Sequence, residues 1–277
     1  MNKIKRVYIE ITNKCNLRCA FCAFHHRPLK EMSLDDFEYC VKEIKQVTPY
    51  LYLHVQGEPL LHSKFNELLT ICDTYQMNVQ LVTNGTYIAN YPNLEQHPSL
   101  RKISFSLHSL DYQQIDTKTY ITQLLSFIDN YSKKNDGYIE LRFWVSDQLN
   151  QKAKEALAII KSRYELLPTS KPNSYKLDEH IFIHFEKEFK WPSVSNNSNP
   201  NHGTCRGGKD MIAILVDGTV VPCCLDAEGE INLGNLFNAS LQQILNSPRY
   251  LNIIKGFNEN KLTEPLCQTC EYRKRFD

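Results

Sequence analysis

The sequence carries no surplus of either charge: 32 Lys and Arg face 31 Asp and Glu, a formal net charge of +1. That balance removes the basic patch of a nucleic-acid binder and the acidic tail of a solvating arm. No apolar run approaches the ~18 residues needed to cross a bilayer. The start, MNKIKRVYIEITNKC, leads from charges straight into a stretch of strand length, with no signal-peptide h-region and no small-residue cleavage site. These absences point to a cytoplasmic chain that partners neither nucleic acid nor membrane. Nor does the chain need disulfides, since one of 277 residues buries roughly 75% of its extended surface on folding.

Ten cysteines are therefore conspicuous. In a reducing compartment they are not disulfides, so their spacing has to explain them. Cys15, Cys19 and Cys22 sit within eight residues; Cys205, Cys223, Cys224, Cys267 and Cys270 fall toward the C-terminal end; Cys40 and Cys72 stand alone. Two metal-binding regions are expected.

Between those regions the pattern alternates. Strands are expected over 5–12, 51–56, 78–83, 102–107, 138–145 and 180–185, and helices from Ser33, over 63–76, 117–134 and 150–163. Ser33 reads as an N-cap with Asp36 as its partner. Phe37, Cys40, Val41, Ile44 and Val47 recur at helical spacing, as do Phe65, Leu68, Leu69, Cys72 and Tyr75, so Cys40 and Cys72 are expected inside the core. Six β/α repeats with mostly buried strands imply a parallel sheet curled into an open, partial (β/α)6 TIM-like barrel. Residues 193–203 are polar and turn-rich and read as a linker. The chain then divides into a barrel over 1–192 and a small Cys-rich domain over 193–277. In the latter, MIAILVDGTVVPCC reads as a hairpin around Asp217-Gly218, and the stretch from Ser240 as a helix.

Four thiolates saturate a 4Fe–4S cube and make it an electron carrier; three leave one iron open for a substrate or cofactor. Cys15, Cys19 and Cys22 supply three, on a loop at the C-terminal end of the first strand, where β/α barrels build their sites. A zinc site, or a ferredoxin-like cluster with a fourth cysteine from elsewhere, competes on spacing alone. In the tail, Cys205, Cys223, Cys267 and Cys270 total four ligands, for which structural zinc and unliganded thiols also compete.

CNLRCAFC, with the aromatic Phe21 before its third cysteine, resembles the radical S-adenosylmethionine (radical SAM) signature. Gly57-Glu58-Pro59 after the second strand resembles that superfamily's GGEP element, with Gln56 in place of the first glycine. The resemblance spans most of the first 190 residues. It implies that SAM chelates the open iron of a 4Fe–4S cluster held by Cys15, Cys19 and Cys22, that an electron donor such as flavodoxin or ferredoxin reduces the cluster, and that a 5′-deoxyadenosyl radical then takes a hydrogen atom from substrate. Glu58 is expected to meet the SAM ammonium. Asn84, Ser106 and His108 mark further strand ends where SAM is contacted, and Arg142 is either a partner of the SAM carboxylate or an ordinary ion-pair arginine. His25 and His26 are read as loop residues.

GTCRGG, DGTVVPCC, LGNL and CQTC resemble the tail of SPASM/twitch radical SAM enzymes. With too few cysteines for two auxiliary clusters, the tail looks like a twitch domain holding one 4Fe–4S cluster on Cys205, Cys223, Cys267 and Cys270, a spacing similar to that of 2-deoxy-scyllo-inosamine dehydrogenase. Cys224 is left over, either packing under the cluster or giving a hydrogen atom to a substrate radical. The expected reaction is oxidation of a small-molecule alcohol. The alternative is modification of a peptide (epimerisation or cross-linking), against which the early first strand leaves no room for a leader-binding domain. A non-enzymatic iron–sulfur or zinc protein is the third possibility.

Overall fold

The computed structural model describes residues 4–23, 25–146, 148–195 and 201–276. Part of the linker expected over 193–203 therefore lies outside the described residues. Six parallel strands form the barrel wall: β1 (Arg6–Ile9), β2 (Tyr50–Tyr52), β3 (Asn78–Thr83), β4 (Leu100–Ser106), β5 (Tyr138–Val145) and, after a short hairpin of β6 (Leu167–Pro168) and β7 (Ser174–Asp178), β8 (Ile181–Lys187). Beyond them come β9 (Met211–Ile214), β10 (Thr219–Val221) and β11 (Gly234–Asn235). All belong to one sheet in the order β11-β10-β9-β1-β2-β3-β4-β5-β8-β7-β6. The tail hairpin turns at Gly218, whose φ of 85° suits glycine, and β9 lies parallel to β1 with Arg6 opposite Met211. The sheet thus runs on from the barrel into the tail.

Helices α1 (Leu34–Lys45), α2 (Phe65–Thr74), α3 (Thr117–Ser132) and α4 (Gln151–Arg163) cover the outer face. Ser33 caps α1 by accepting from Asp36 N, as its spacing predicts. Cys40 and Cys72 are fully buried on the inner sides of α1 and α2. Among the described residues no helix is long and apolar enough to cross a membrane.

Three departures from expectation have local causes. No α-helix follows β3: residues 84–99 make only single 3₁₀ turns at Ile88–Asn90 and Leu94–Gln96, because Pro92 and Pro98 interrupt any longer run. The β6–β7 hairpin pairs antiparallel with β8 around a turn in which Asn173 takes φ 55°. The helix expected from Ser240 is two: α5 (Leu241–Ile244) and α6 (Pro248–Asn258). Pro248 holds Ser247 extended and lacks an N–H, so the first helix stops and Ser247 caps the second. A last turn, α7 (Pro265–Gln268), carries Cys267.

Strand parity decides what faces inward. Val7, Leu51 and Val79 share one register, and Leu81, Ile103 and Ile139 another; all six lie fully buried on the helix-covered face. The even positions of the same strands point the other way, into the barrel, and many are polar.

Candidate active site

The three-cysteine loop leaves the end of β1 through a narrow neck. Thr12 Oγ1 donates to Lys30 O (3.0 Å), and Asn13 Nδ2 donates to Pro28 O (2.9 Å) while its Oδ1 accepts from Lys30 N (2.7 Å). Within the loop, Cys22 N donates to Cys19 O (3.0 Å) and Leu17 N to Cys15 Sγ (3.4 Å). Cys15 is exposed, Cys19 buried and Cys22 half-buried. Burial, then the neighbouring thiols, push Cys19 up to about 12 and Cys22 up to about 11; burial raises Cys15. Sulfurs so placed resist ionising alone, and positive iron supplies the charge that would let them.

Gly57 takes φ +80°, and a Cβ there would stand 2.4 Å from Thr12 O, so the second strand's end passes the loop neck only as glycine. Glu58 is buried behind it. Its carboxylate accepts from Leu60 N (3.1 Å), Thr83 Oγ1 (2.6 Å) and Asn84 N (2.7 Å). Burial nevertheless pushes it up to about 7. Asn84 reaches the loop, its Nδ2 donating to Asn16 Oδ1 (3.0 Å). Gln56, next to Gly57, accepts from Cys22 Sγ at 3.4 Å. His25 bonds Asn13 O and His26 bonds Glu228, so both serve the loop's frame.

Phe21 sets its edge against His108 (5.0 Å) and Trp144 (5.2 Å), which stack on each other at 4.3 Å. Burial, then Arg142, pull His108 down to about 3, so it stays neutral. Arg142 takes the ion-pair arrangement, Nη2 lying 3.4 Å from Glu186 and Nε 4.0 Å from Glu140.

In the tail, burial raises the Cys223 thiol well above its ordinary value, and the charges of Cys224, Cys205, Cys267 and Cys270 add to it. Gly207 lets them gather, since a Cβ there would sit 3.3 Å from Cys223 Cβ and 3.8 Å from Cys205 Sγ. Cys270 N bonds Cys267 O (3.4 Å). Among the described residues no three His, Cys, Asp or Glu side chains converge on a point that one ion could fill. Both sets offer thiolate sulfur alone, the donor type that iron–sulfur clusters take. Cys224 stands beside the other four and meets the Tyr8 phenol; burial pushes its thiol up to about 11 against the pull of Tyr8 and Arg6.

One cavity of about 630 Å³ joins the two sets. Of the residues singled out from sequence, Phe21, Cys22, Gly57, Ser106, His108, Arg142, Cys205, Cys223, Cys224, Cys267 and Cys270 line it. Cys15, Cys19, Glu58, Pro59 and Asn84 stand outside that wall. Sequence reasoning missed the inner even positions Arg6, Tyr8, Tyr52, His54, Lys102, Glu140 and Glu186, which also line it. Their signal was a polar residue at every second place of strands expected to be apolar on both faces. It also missed Glu10, fully buried at the end of β1. Arg27 forks onto it (2.7 and 2.6 Å), and it accepts from Gln56 N (3.2 Å) and Val216 N (3.0 Å). Arg27 Nε in turn donates to Ala227 O (2.8 Å).

Known proteins share both halves of this arrangement. The model of the radical SAM superfamily matches residues 9–136, and that of SPASM, an iron–sulfur cluster-binding domain, matches 205–271. The antilisterial bacteriocin subtilosin biosynthesis protein AlbA of Bacillus subtilis is 25% identical over 266 residues, 86% of this chain and 59% of that one. The chain spans only about 38–59% of the length of the curated relatives it matches. BtrN, solved in complex with AdoMet and 2-DOIA, superposes with TM-score 0.59 at 14% identity, over 98% of this chain and 94% of that one. SuiB of Streptococcus suis, solved with its precursor peptide SuiA, gives 0.63 at 14%, over 99% and 71%.

Proposed function

We propose, from the premise that this chain belongs to the radical SAM superfamily and carries a SPASM-type iron–sulfur tail, that it removes a hydrogen atom from a substrate held between its two cysteine sites and returns one from Cys224. The observation that carries this reading is one cavity lined both by Phe21, Cys22 and Gln56 and by Cys224 and the four tail cysteines. Cys15, Cys19 and Cys22 would hold the open cluster, and Cys205, Cys223, Cys267 and Cys270 the closed one. When bound, the open cluster and SAM supply a carbon radical able to take hydrogen from an unactivated carbon.

The protein's part is to place the carbon and to decide the fate of the substrate radical. The aromatic wall of Phe21, His108 and Trp144 excludes water from one side. Cys224 breaks its S–H bond homolytically, and that hydrogen joins the substrate carbon. The sulfur radical left behind regains one electron from a low-potential donor of the ferredoxin or flavodoxin class and one proton from solvent. The outcome is inversion at carbon, and a peptide is the substrate class that the likeness to AlbA and SuiB supports. A cytoplasmic setting suits ten free thiols.

A second reading is oxidation of an alcohol, favoured by His54. Its imidazole lines the cavity, and burial, then Arg142, pull it down to about 3, so it stands neutral beside the space a substrate would fill. In deuterated solvent with SAM and reductant, wild type on a peptide substrate is expected to yield product carrying one carbon-bound deuterium, and Cys224→Ala to cleave SAM without that label. Deuterium retained by Cys224→Ala would sink the first reading; a carbonyl product would establish the second.

A further inference from the structure

We propose that Gln56 donates a hydrogen bond to the cluster-bound thiolate of Cys22 and thereby makes the open cluster easier to reduce. The proposal rests on the radical SAM reading of the three-cysteine loop, and it concerns the one place where this chain departs from the GGEP pattern.

Four observations meet at this side chain. Gln56 is only 4% exposed. Its Oε1 lies 3.4 Å from Cys22 Sγ, and its Nε2 is buried with no partner. Its backbone N–H is tied to Glu10 Oε1 at 3.2 Å, so the residue is held in place at its root. It also forms part of the cavity wall beside Cys22.

The amide now faces a thiol, which has a hydrogen to give, and Oε1 takes it. A thiolate on iron has none, and a carbonyl oxygen turned toward that sulfur repels it. The last torsion of glutamine is soft and nearly two-fold, so half a turn exchanges the amide's oxygen and nitrogen with little movement. The turn gives the orphaned N–H an acceptor. It leaves a carbonyl oxygen unpaired instead, which buried structure tolerates better than a lone donor. An N–H on a ligating sulfur favours the more negative, reduced cluster and raises its potential. A glycine at this position offers no such donor.

The test is a redox titration of the reconstituted full-length chain followed by electron paramagnetic resonance, for wild type, Gln56→Leu and Gln56→Gly. Leucine keeps most of the volume and removes the donor; glycine restores the superfamily's residue should leucine prevent cluster loading. The expected result is a more negative midpoint for the three-cysteine cluster in both variants. The midpoint of the tail cluster serves as internal reference and stays where it was. An unchanged three-cysteine midpoint in a loaded variant overturns the proposal. Added SAM separately tests the underlying reading: a signal that ignores SAM refutes that reading, whereas the role of Gln56 is read from the midpoint alone.

Discussion

The three-cysteine loop hangs from a neck at Thr12 and Asn13, whereas the tail's four cysteines are set into a hairpin, a glycine turn and a short helix. The loop contributes few backbone bonds of its own and leaves Cys15 exposed. In the tail, Gly208 N bonds both Met211 O and Pro222 O, Asp226 gathers the N–H groups of Gly229, Glu230 and Ile231, and Arg249 pairs with Glu264 at 2.8 Å. The difference is one of rigidity: the loop has few bonds of its own to hold its shape, whereas the tail is fixed by a dense local network.

The contrast between the two sites breaks most visibly if the cysteines are exchangeable. Replacing Cys15, Cys19 and Cys22 together by alanine is expected to abolish SAM cleavage while leaving the tail's share of iron, measured by metal analysis beside 5′-deoxyadenosine formation. Equal iron loss from both sites would erase the distinction.

The next largest effect concerns the joint between the regions. Arg27 follows the loop, Glu10 ends β1, and their pair binds Val216 and Ala227 of the tail. Removing one member of a buried pair costs about 3–5 kcal/mol, so Arg27→Ala should fall well below wild type in urea unfolding. A variant that also carries Glu10→Met should recover part of the loss. No loss in the single variant would show that the two regions are held together elsewhere.

The smallest effect sharpens the chemistry at Glu58. Burial raises its carboxyl from an ordinary 4.5 to about 7, despite three donors. The folded chain thus holds that proton more tightly than the unfolded chain. The stabilising contribution is complete below about pH 4.5 and is lost as pH rises through about 7, on the order of 1–3 kcal/mol. Unfolding of the metal-free chain at about pH 5 and pH 8 should show this difference in wild type, and a smaller one in Glu58→Gln.

Legibility in the sequence tracks the range of the interactions. β3 over 78–83 and β5 over 138–145 were readable to the residue, because alternation and turn residues bound them locally. The Ser33 cap and the buried faces of α1 and α2 are likewise local. The cysteine loop was readable because its ligands lie within eight residues. Glu10 was not: it sits in an apolar run and looks like a strand residue, and its partners stand 17, 46 and 206 residues away. The two-residue strand β6 carries too little pattern to see. The polar inner wall was visible as alternation but was outweighed by the expectation that parallel strands are apolar throughout.

β1 is hydrogen-bonded on one side to β2 and on the other to β9, whose first residue comes more than 200 positions later. During synthesis that second side waits for nearly the whole chain, a high-contact-order step that slows folding. Until β9 docks, β1 is an open edge ready to recruit another molecule's strand. A chain stopped before Met211 should therefore clump rather than yield a smaller working barrel, and clusters loaded before β9 arrives would sit on a loop whose root strand is still half-made.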